Sequence, residues 1–281
     1  MAKLSAIQLC SVPDVNQNLT AIAQQLTELC QQVKDENHIV VLPECCLFFG
    51  GKEAEQLSLA KQSQQSNVLV NSLAKLAAQF NITLVAGTIP LLANSGEKFT
   101  NTCCVFSPEG VLLGQYDKIH LFDVKVNDNE KNYRESKYTQ AGKSVEIIEH
   151  QAMNIGLSIC YDVRFAALYR KLSAQGASVI TVPSAFTRVT GKAHWQALLQ
   201  ARAIENQVYI VAAAQEGVHA NGRETWGHSM IISPWGEVLS CKALGEGFIS
   251  CEYHQEEINR VRAAIPVHEH NKFIVELNKY E

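Results

Sequence analysis

Short apolar runs alternate with segments of helical period along nearly the whole chain, and that alternation narrows the fold more than any other feature. Residues 4–9, 38–42, 82–89, 154–159, 178–183 and 208–214 read as strands, with 38–42 (His-Ile-Val-Val-Leu) short and buried. Between the first two, residues 18–33 bring Leu19, Ile22, Leu26, Leu29 and Val33 round at three- and four-residue steps, an amphipathic helix. Residues 68–80, a stretch near 165–174, and 193–206 also read as helices. Ser107-Pro108-Glu109-Gly110 joins strands 101–106 and 111–116 as a hairpin turn with proline preset at its second position. Ser233-Pro234-Trp235-Gly236 plays the same part between 227–232 and 237–242, and a strand at 248–253 precedes a short helix near 256–264. Such βα units mixed with hairpins imply an α/β class with mixed sheets covered by helices. No repeat or Pro/Gly/Ser linker divides the 281 residues, so residues 1–266 read as one domain and 267–281 as a C-terminal tail. The polar segment 123–142 is the longest stretch without apolar periodicity and is expected to be a loop.

Charge excludes several partners. Lysine and arginine total 24 against 28 acidic residues, a net charge of −4, which offers no footprint for nucleic acid or a membrane surface. No run approaches the roughly 18 apolar residues of a membrane span, and the N-terminus lacks the apolar core of about 7–15 residues that a signal peptide carries. A cytoplasmic protein with reduced thiols is expected. No two of the nine cysteines leave the two-residue gap that zinc sites favour, so no metal is expected, and no cofactor is expected either. Most of these cysteines read as small buried hydrophobes.

Three strand ends carry groups that could do chemistry, because a rigid scaffold aims them. Strand 39–42 delivers Pro43-Glu44, the strand ending at Tyr116 delivers Asp117-Lys118-Ile119-His120, and strand 155–159 delivers Cys160-Tyr161-Asp162-Val163-Arg164-Phe165 as a helix begins. A thiol, a carboxylate base and a cation for a developing oxyanion suffice for covalent acyl transfer. Taken singly, Glu44 reads as a solvated carboxylate, Lys118 as a surface lysine and Cys160 as core; their joint occurrence shifts the weight.

In that order the three stretches resemble the nitrilase, or carbon–nitrogen hydrolase, superfamily, whose hallmark is a Glu–Lys–Cys triad. The likeness runs from Leu4 to about Pro266 through Leu42-Pro43-Glu44, Tyr116-Asp117-Lys118-Ile119-His120 and Gly156-Leu157-Ser158-Ile159-Cys160-Tyr161-Asp162. It is echoed by Pro183-Ser184-Ala185-Phe186, His194-Trp195 and Gly227-His228-Ser229-Met230. The resemblance implies an α-β-β-α sandwich of two mixed sheets, a homodimer or higher homo-oligomer, and a small acidic amide as substrate. Tyr161-Asp162 stands where nitrilases proper usually carry Trp-Glu and points to the amidase branches. Nit-type amidases are nearest; they hydrolyse deaminated glutathione or ω-amides of 2-oxo acids such as 2-oxoglutaramate and 2-oxosuccinamate. The loops at 123–126, 133–136 and 186–195 favour the first. Departures are Ala166-Ala167, where many relatives carry Pro-Glu, and Cys45-Cys46 behind the glutamate.

The resemblance makes Cys160 the nucleophile, Glu44 the base, and Lys118 with the backbone N–H of Tyr161 the oxyanion donors. Glu135 resembles a second glutamate that positions substrate or Lys118, its alternative being an exposed loop carboxylate. Tyr161, Phe186, Thr187 and His194 are the expected supporting residues. His120 and His194 could line the pocket or serve structural hydrogen bonds. Arg188 and Lys192 could pair with a substrate carboxylate or be ordinary surface charges. Arg164 is expected to pair with Asp162, and His268-Glu269-His270 reads as a solvated segment rather than a metal site. Ala141-Gly142-Lys143-Ser144 fails as a phosphate loop because Lys137 occupies the place of its first glycine. A papain-like thiol protease needs a Cys–His pair with an oriented third group, and the flank around Cys160 does not fit one. A catalytically silent nitrilase-fold interaction protein is the alternative from another class, and the presence of all three triad residues argues against it.

Overall fold

Successive side chains of a strand leave on opposite faces, and in this chain both faces of the central strands are apolar. In Asn37–Val41 and the residue after it, Ile39 and Val41 join one buried cluster while Val40 and Leu42 join another. Cys103 and Val105 part from Cys104 and Phe106 in the same way within Phe99–Phe106. A sheet built so must be covered twice. The computed structural model, which describes residues 2–33, 37–126, 132–150 and 153–277, meets that need with four layers.

On one outer face, Ile22, Leu26 and Leu29 of helix Val15–Gln32 and Leu69, Leu73 and Leu76 of helix Val68–Phe80 cover the first sheet. The first of these helices is capped by Asp14, whose carboxylate accepts from the Gln17 N–H at 2.9 Å. On the other, Leu168, Tyr169 and Leu172 of Ala166–Ala174 and Trp195, Leu199 and Ala203 of Arg188–Asn206 cover the second sheet. Each fully buried side chain of this size contributes about 1.5–3 kcal/mol. The arrangement is the expected α-β-β-α sandwich.

The first sheet has seven strands, ordered Gly247–Tyr253, Ala2–Gln8, Asn37–Val41, Thr83–Val85, Phe99–Phe106, Ile89–Leu92, with Leu112–Asp117 also paired to Phe99–Phe106. The second has six, ordered Val238–Lys242, Ser229–Ile232, Tyr209–Ala212, Val179–Thr181, Met153–Leu157, Ile147–His150. Within each, the central strands run parallel. Their C-terminal ends are where an α/β protein leaves its loops free for chemistry.

Several expectations need correction. The run 82–89 is two strands, Thr83–Val85 and Ile89–Leu92, separated at Gly87. Gly87 has φ +57°, and a Cβ there would stand 2.1 Å from the Pro43 carbonyl oxygen. Only glycine lets this bend pass beneath the loop that carries Glu44. Helix Glu53–Ser63 was not expected at all: it buries only Ala60 and Ser63 and so lacks an apolar stripe. The segment 123–142 contains a short antiparallel pair, Asp123–Lys125 with Asn132–Arg134, and a 3₁₀ turn Glu135–Lys137, while 127–131 lie outside the described residues. The tail begins with a short helix, Val267–His270, from which His268 reaches the Ser173 hydroxyl and the Asn206 carbonyl at 3.3 Å each; residues 278–281 lie outside the described residues.

Candidate active site

Loops from both sheets meet in one open cavity, and Glu44, Lys118 and Cys160 all line it. Glu44 and Lys118 come from the first sheet, just past Asn37–Val41 and Leu112–Asp117; Cys160 comes from the second, just past Met153–Leu157. All three are buried, at 5%, 2% and 8% exposure.

Glu44 is held on both oxygens. Oε1 accepts from Lys118 Nζ at 2.8 Å and Asn101 Nδ2 at 2.9 Å, and Oε2 accepts from the Ala185 N–H at 2.9 Å. Burial opposes its ionisation, but the charge and hydrogen bond of Lys118 outweigh that, with the Cys160 thiol donating and Arg223 adding positive charge. Its carboxyl therefore sits below the usual carboxylate range. For Lys118 burial again works against the charged form, and Glu135, Glu44 and Cys160 together hold the ammonium far above its ordinary value. Burial and the Glu44 carboxylate raise Cys160 well above a free thiol, with Lys118 and the Ala185 N–H opposing. At rest the site holds a neutral thiol beside an ionised carboxylate and an ammonium.

Glu135 completes the cluster. Its oxygens lie 3.0 and 3.1 Å from Lys118 Nζ, and Oε2 also accepts from the Phe122 N–H at 2.7 Å. A solvated carboxylate would have none of these contacts, so the loop alternative is corrected.

Cys160 starts a 3₁₀ turn, Cys160–Arg164, with φ +46°, a left-handed conformation that costs a non-glycine residue about 1–3 kcal/mol. The turn is fixed by Asp162, which is fully buried and accepts from the Ile159 N–H at 2.9 Å, the Tyr116 hydroxyl at 2.8 Å, and His120 at its N–H (3.1 Å) and Nδ1 (2.7 Å). Tyr116 and His120 flank Lys118 by two residues on either side. Asp162 thus clamps the lysine strand end to the cysteine turn.

That clamp corrects one expectation and gives His120 the structural hydrogen bonds that were its other reading. Asp162 is occupied by these donors and not by Arg164, which instead stands 5.1 Å over the Phe186 ring and meets His194 Nδ1 at 3.3 Å. His120 serves the clamp and stacks on Phe165 at 3.7 Å; it is absent from the cavity wall. Tyr161, Phe186 and Thr187 line the cavity, whereas His194 is exposed on helix Arg188–Asn206. Arg188 pairs with Glu224 at 2.9 Å and Lys192 is exposed; neither reaches the cavity.

Sequence reasoning missed Asn101, Arg223 and the Ala185 amide. Asn101 bridges Glu44 and Glu135, donating to both. Thr100-Asn101-Thr102, three polar residues inside the wholly buried strand Phe99–Phe106, was the available signal. Arg223 had none. Among the described residues no group of three or more His, Cys, Asp or Glu is arranged to hold a metal, and no helix is long and apolar enough to cross a membrane.

A model of the carbon–nitrogen hydrolase family matches residues 3–263. A deaminated glutathione amidase of a Synechocystis species is 41% identical over 273 residues, 96% of this chain and 98% of that one. An omega-amidase of Xenopus tropicalis is 34% identical over 280 residues, 99% of this chain and 98% of its own. Among solved structures, Nit3 of Saccharomyces cerevisiae, a member of the nitrilase superfamily, superposes with a TM-score of 0.86 at 30% identity, covering 97% of each chain.

Proposed function

The chain belongs to the carbon–nitrogen hydrolase family and is a hydrolase of amide bonds; from that premise we propose that Cys160, Glu44 and Lys118 cleave an acidic amide of the deaminated-glutathione kind. One observation carries the assignment: a buried thiol, an ionised carboxylate 2.8 Å from a buried ammonium, and open space share a single cavity wall.

Glu44 takes the thiol proton as the Cys160 sulfur bonds to the amide carbonyl carbon. The carbonyl oxygen becomes an oxyanion, stabilised by Lys118 and by the Tyr161 N–H. An ammonium has three protons, and Glu44 and Glu135 leave Lys118 one to offer the oxyanion. Collapse breaks the C–N bond while Glu44 returns its proton to the departing amine or ammonia. Water then gives a proton to Glu44 and attacks the thioester, the C–S bond breaks, and Glu44 reprotonates the sulfur as the acid leaves. The second glutamate holds Lys118 in place and lets the lysine stay charged when Glu44 carries the proton.

Both the Synechocystis and the Xenopus relatives support an acidic amide; the higher identity of the first favours deaminated glutathione. The reading carries with it a cytoplasmic enzyme acting as a homodimer or larger homo-oligomer, which light scattering in solution tests. For the reaction, product release is followed with deaminated glutathione beside 2-oxoglutaramate. The expected result is a higher kcat/KM on the first, abolished in Cys160→Ala. A higher value on 2-oxoglutaramate would overturn the substrate assignment and keep the chemistry. Turnover of neither, with Cys160 alkylated no faster than the other thiols, would leave the silent interaction protein.

A further inference from the structure

A short hairpin, Glu216–Val218 paired with Glu224–Trp226, presents its turn to the cavity. The turn is tied internally: His219 N–H donates to the Arg223 carbonyl at 2.9 Å and Arg223 N–H to Asn221 Oδ1 at 3.0 Å. His219 anchors it to the body of the protein. Its ring is buried, lies 3.1 Å from the Ser11 carbonyl and 2.8 Å from the Thr225 hydroxyl, and meets Phe49 edge-on at 4.4 Å. Burial, helped by the Arg223 charge and opposed by the Ser11 carbonyl, lowers this histidine to about 4. The anchor is therefore neutral, and Arg223 is the cation that the turn delivers.

Arg223 is held between two rings, its Cζ 5.0 Å from the centroids of both Phe49 and Tyr133. Nη2 donates to the Ala185 carbonyl at 3.3 Å, and Nε is buried with no acceptor among the described residues. None of the ion pairs among those residues includes Arg223. The contrast with Lys118, which is held by two carboxylates, is direct. A planar guanidinium stacked between rings keeps its edge for in-plane recognition, and a carboxylate matches that edge with two parallel hydrogen bonds. Leaving such a charge half-buried and unpaired is costly unless a ligand supplies the anion.

The position is also right. Ala185 receives Arg223 on its carbonyl and gives its N–H to Glu44, so a single residue bridges the guanidinium and the base. The cavity's other carboxylate outside the lysine cluster, Glu53, stands at the first turn of helix Glu53–Ser63.

We propose that Arg223 is the specificity residue of this site: it receives a carboxylate of the substrate and so selects acidic over neutral amides. The inference rests on the amidase reading for its substrate. Two measurements test it. The first is the ratio of kcat/KM for glutaramate to that for pentanamide, chains of equal length that differ in one carboxylate. Arg223→Gln should collapse this ratio by about 100-fold, mainly through KM for the acidic amide, and Arg223→Lys should restore part of it. The second needs no turnover: calorimetric binding of glutarate to Cys160→Ala, weakened about 30-fold or more when Arg223→Gln is added. An unchanged ratio, or glutarate binding indifferent to residue 223 or absent from Cys160→Ala, would overturn the proposal. If no amide is hydrolysed yet glutarate binding still depends on Arg223, the amidase reading falls and the carboxylate site stands.

Discussion

Two thiols line the cavity, the half-buried Cys45 and the buried Cys160, and burial raises both, Cys45 to about 12. Acidity does not mark the nucleophile; geometry does. Cys160 opens the turn that Asp162 clamps to the lysine strand end, whereas the Cys45 thiol only receives a long contact from Gln56 at 3.9 Å. A thiol that is neutral at rest and loses its proton to a carboxylate during attack gives a distinctive pH dependence. Glu44 is lowered, so it stays ionised until the pH falls beneath the ordinary carboxylate range of about 4, and activity is lost only there. Lys118 and Cys160 are both raised, so neither loses its proton through neutral and mildly alkaline pH. The expected profile of kcat/KM is flat between about pH 5 and about pH 9. An acid limb centred near 6 or above would show that the base is some other group. As interacting groups, the two limbs belong to the cluster rather than to single residues.

At the scale of the element, the site depends on how one strand end is bolted to one turn. Asp162→Ala would leave the Tyr116 hydroxyl and the Ile159 and His120 N–H groups without their acceptor. Orphaned buried donors cost about 1–3 kcal/mol each, so urea unfolding should lose about 3–5 kcal/mol. Because Tyr116 and His120 frame Lys118, kcat should fall by about 100-fold with KM little changed. A stability loss with kcat intact would show that the clamp serves folding alone. This is the level at which the sequence was most and least legible. Strands whose two faces are both apolar, and helix 68–80 with its clear period, could be read directly, since period and burial agree. The Glu44, Lys118 and Cys160 positions were legible as strand ends followed by polar residues, and the family resemblance joined them. Helix Glu53–Ser63 was not legible because it covers little core. Arg164, its neighbour in sequence, reads as the partner of Asp162, but the side chains that meet it lie 42 and 46 residues away.

At the scale of the molecule, Glu44 and Lys118 belong to one sheet and Cys160 to the other, so the triad is only as well aligned as the two sheets are. Apolar packing between sheets resists separation but fixes their relative slide weakly; directional hydrogen bonds fix it better. Two buried glutamines supply them. Gln215, past the strand Tyr209–Ala212 of the second sheet, accepts from the Ser11 N–H at 2.9 Å and donates to the Ser11 hydroxyl at 2.8 Å and the Glu44 carbonyl at 3.0 Å. Gln8 of the first sheet accepts from the Ser229 N–H and hydroxyl of the second, both at 2.9 Å, and donates to the Gly245 carbonyl at 2.8 Å. Both should matter for stability, about 2–4 kcal/mol on change to leucine, since each change orphans two or more buried groups. Only Gln215 holds a triad residue's backbone across the intersheet seam. Gln215→Leu should therefore lower kcat by about 10-fold or more, as expected when reacting groups are misplaced by about an ångström, while Gln8→Leu of similar instability leaves kcat within about threefold. Equal kcat losses in the two variants, measured well below their melting temperatures, would mean that sheet alignment is set by the apolar core and not by the glutamine that touches the base.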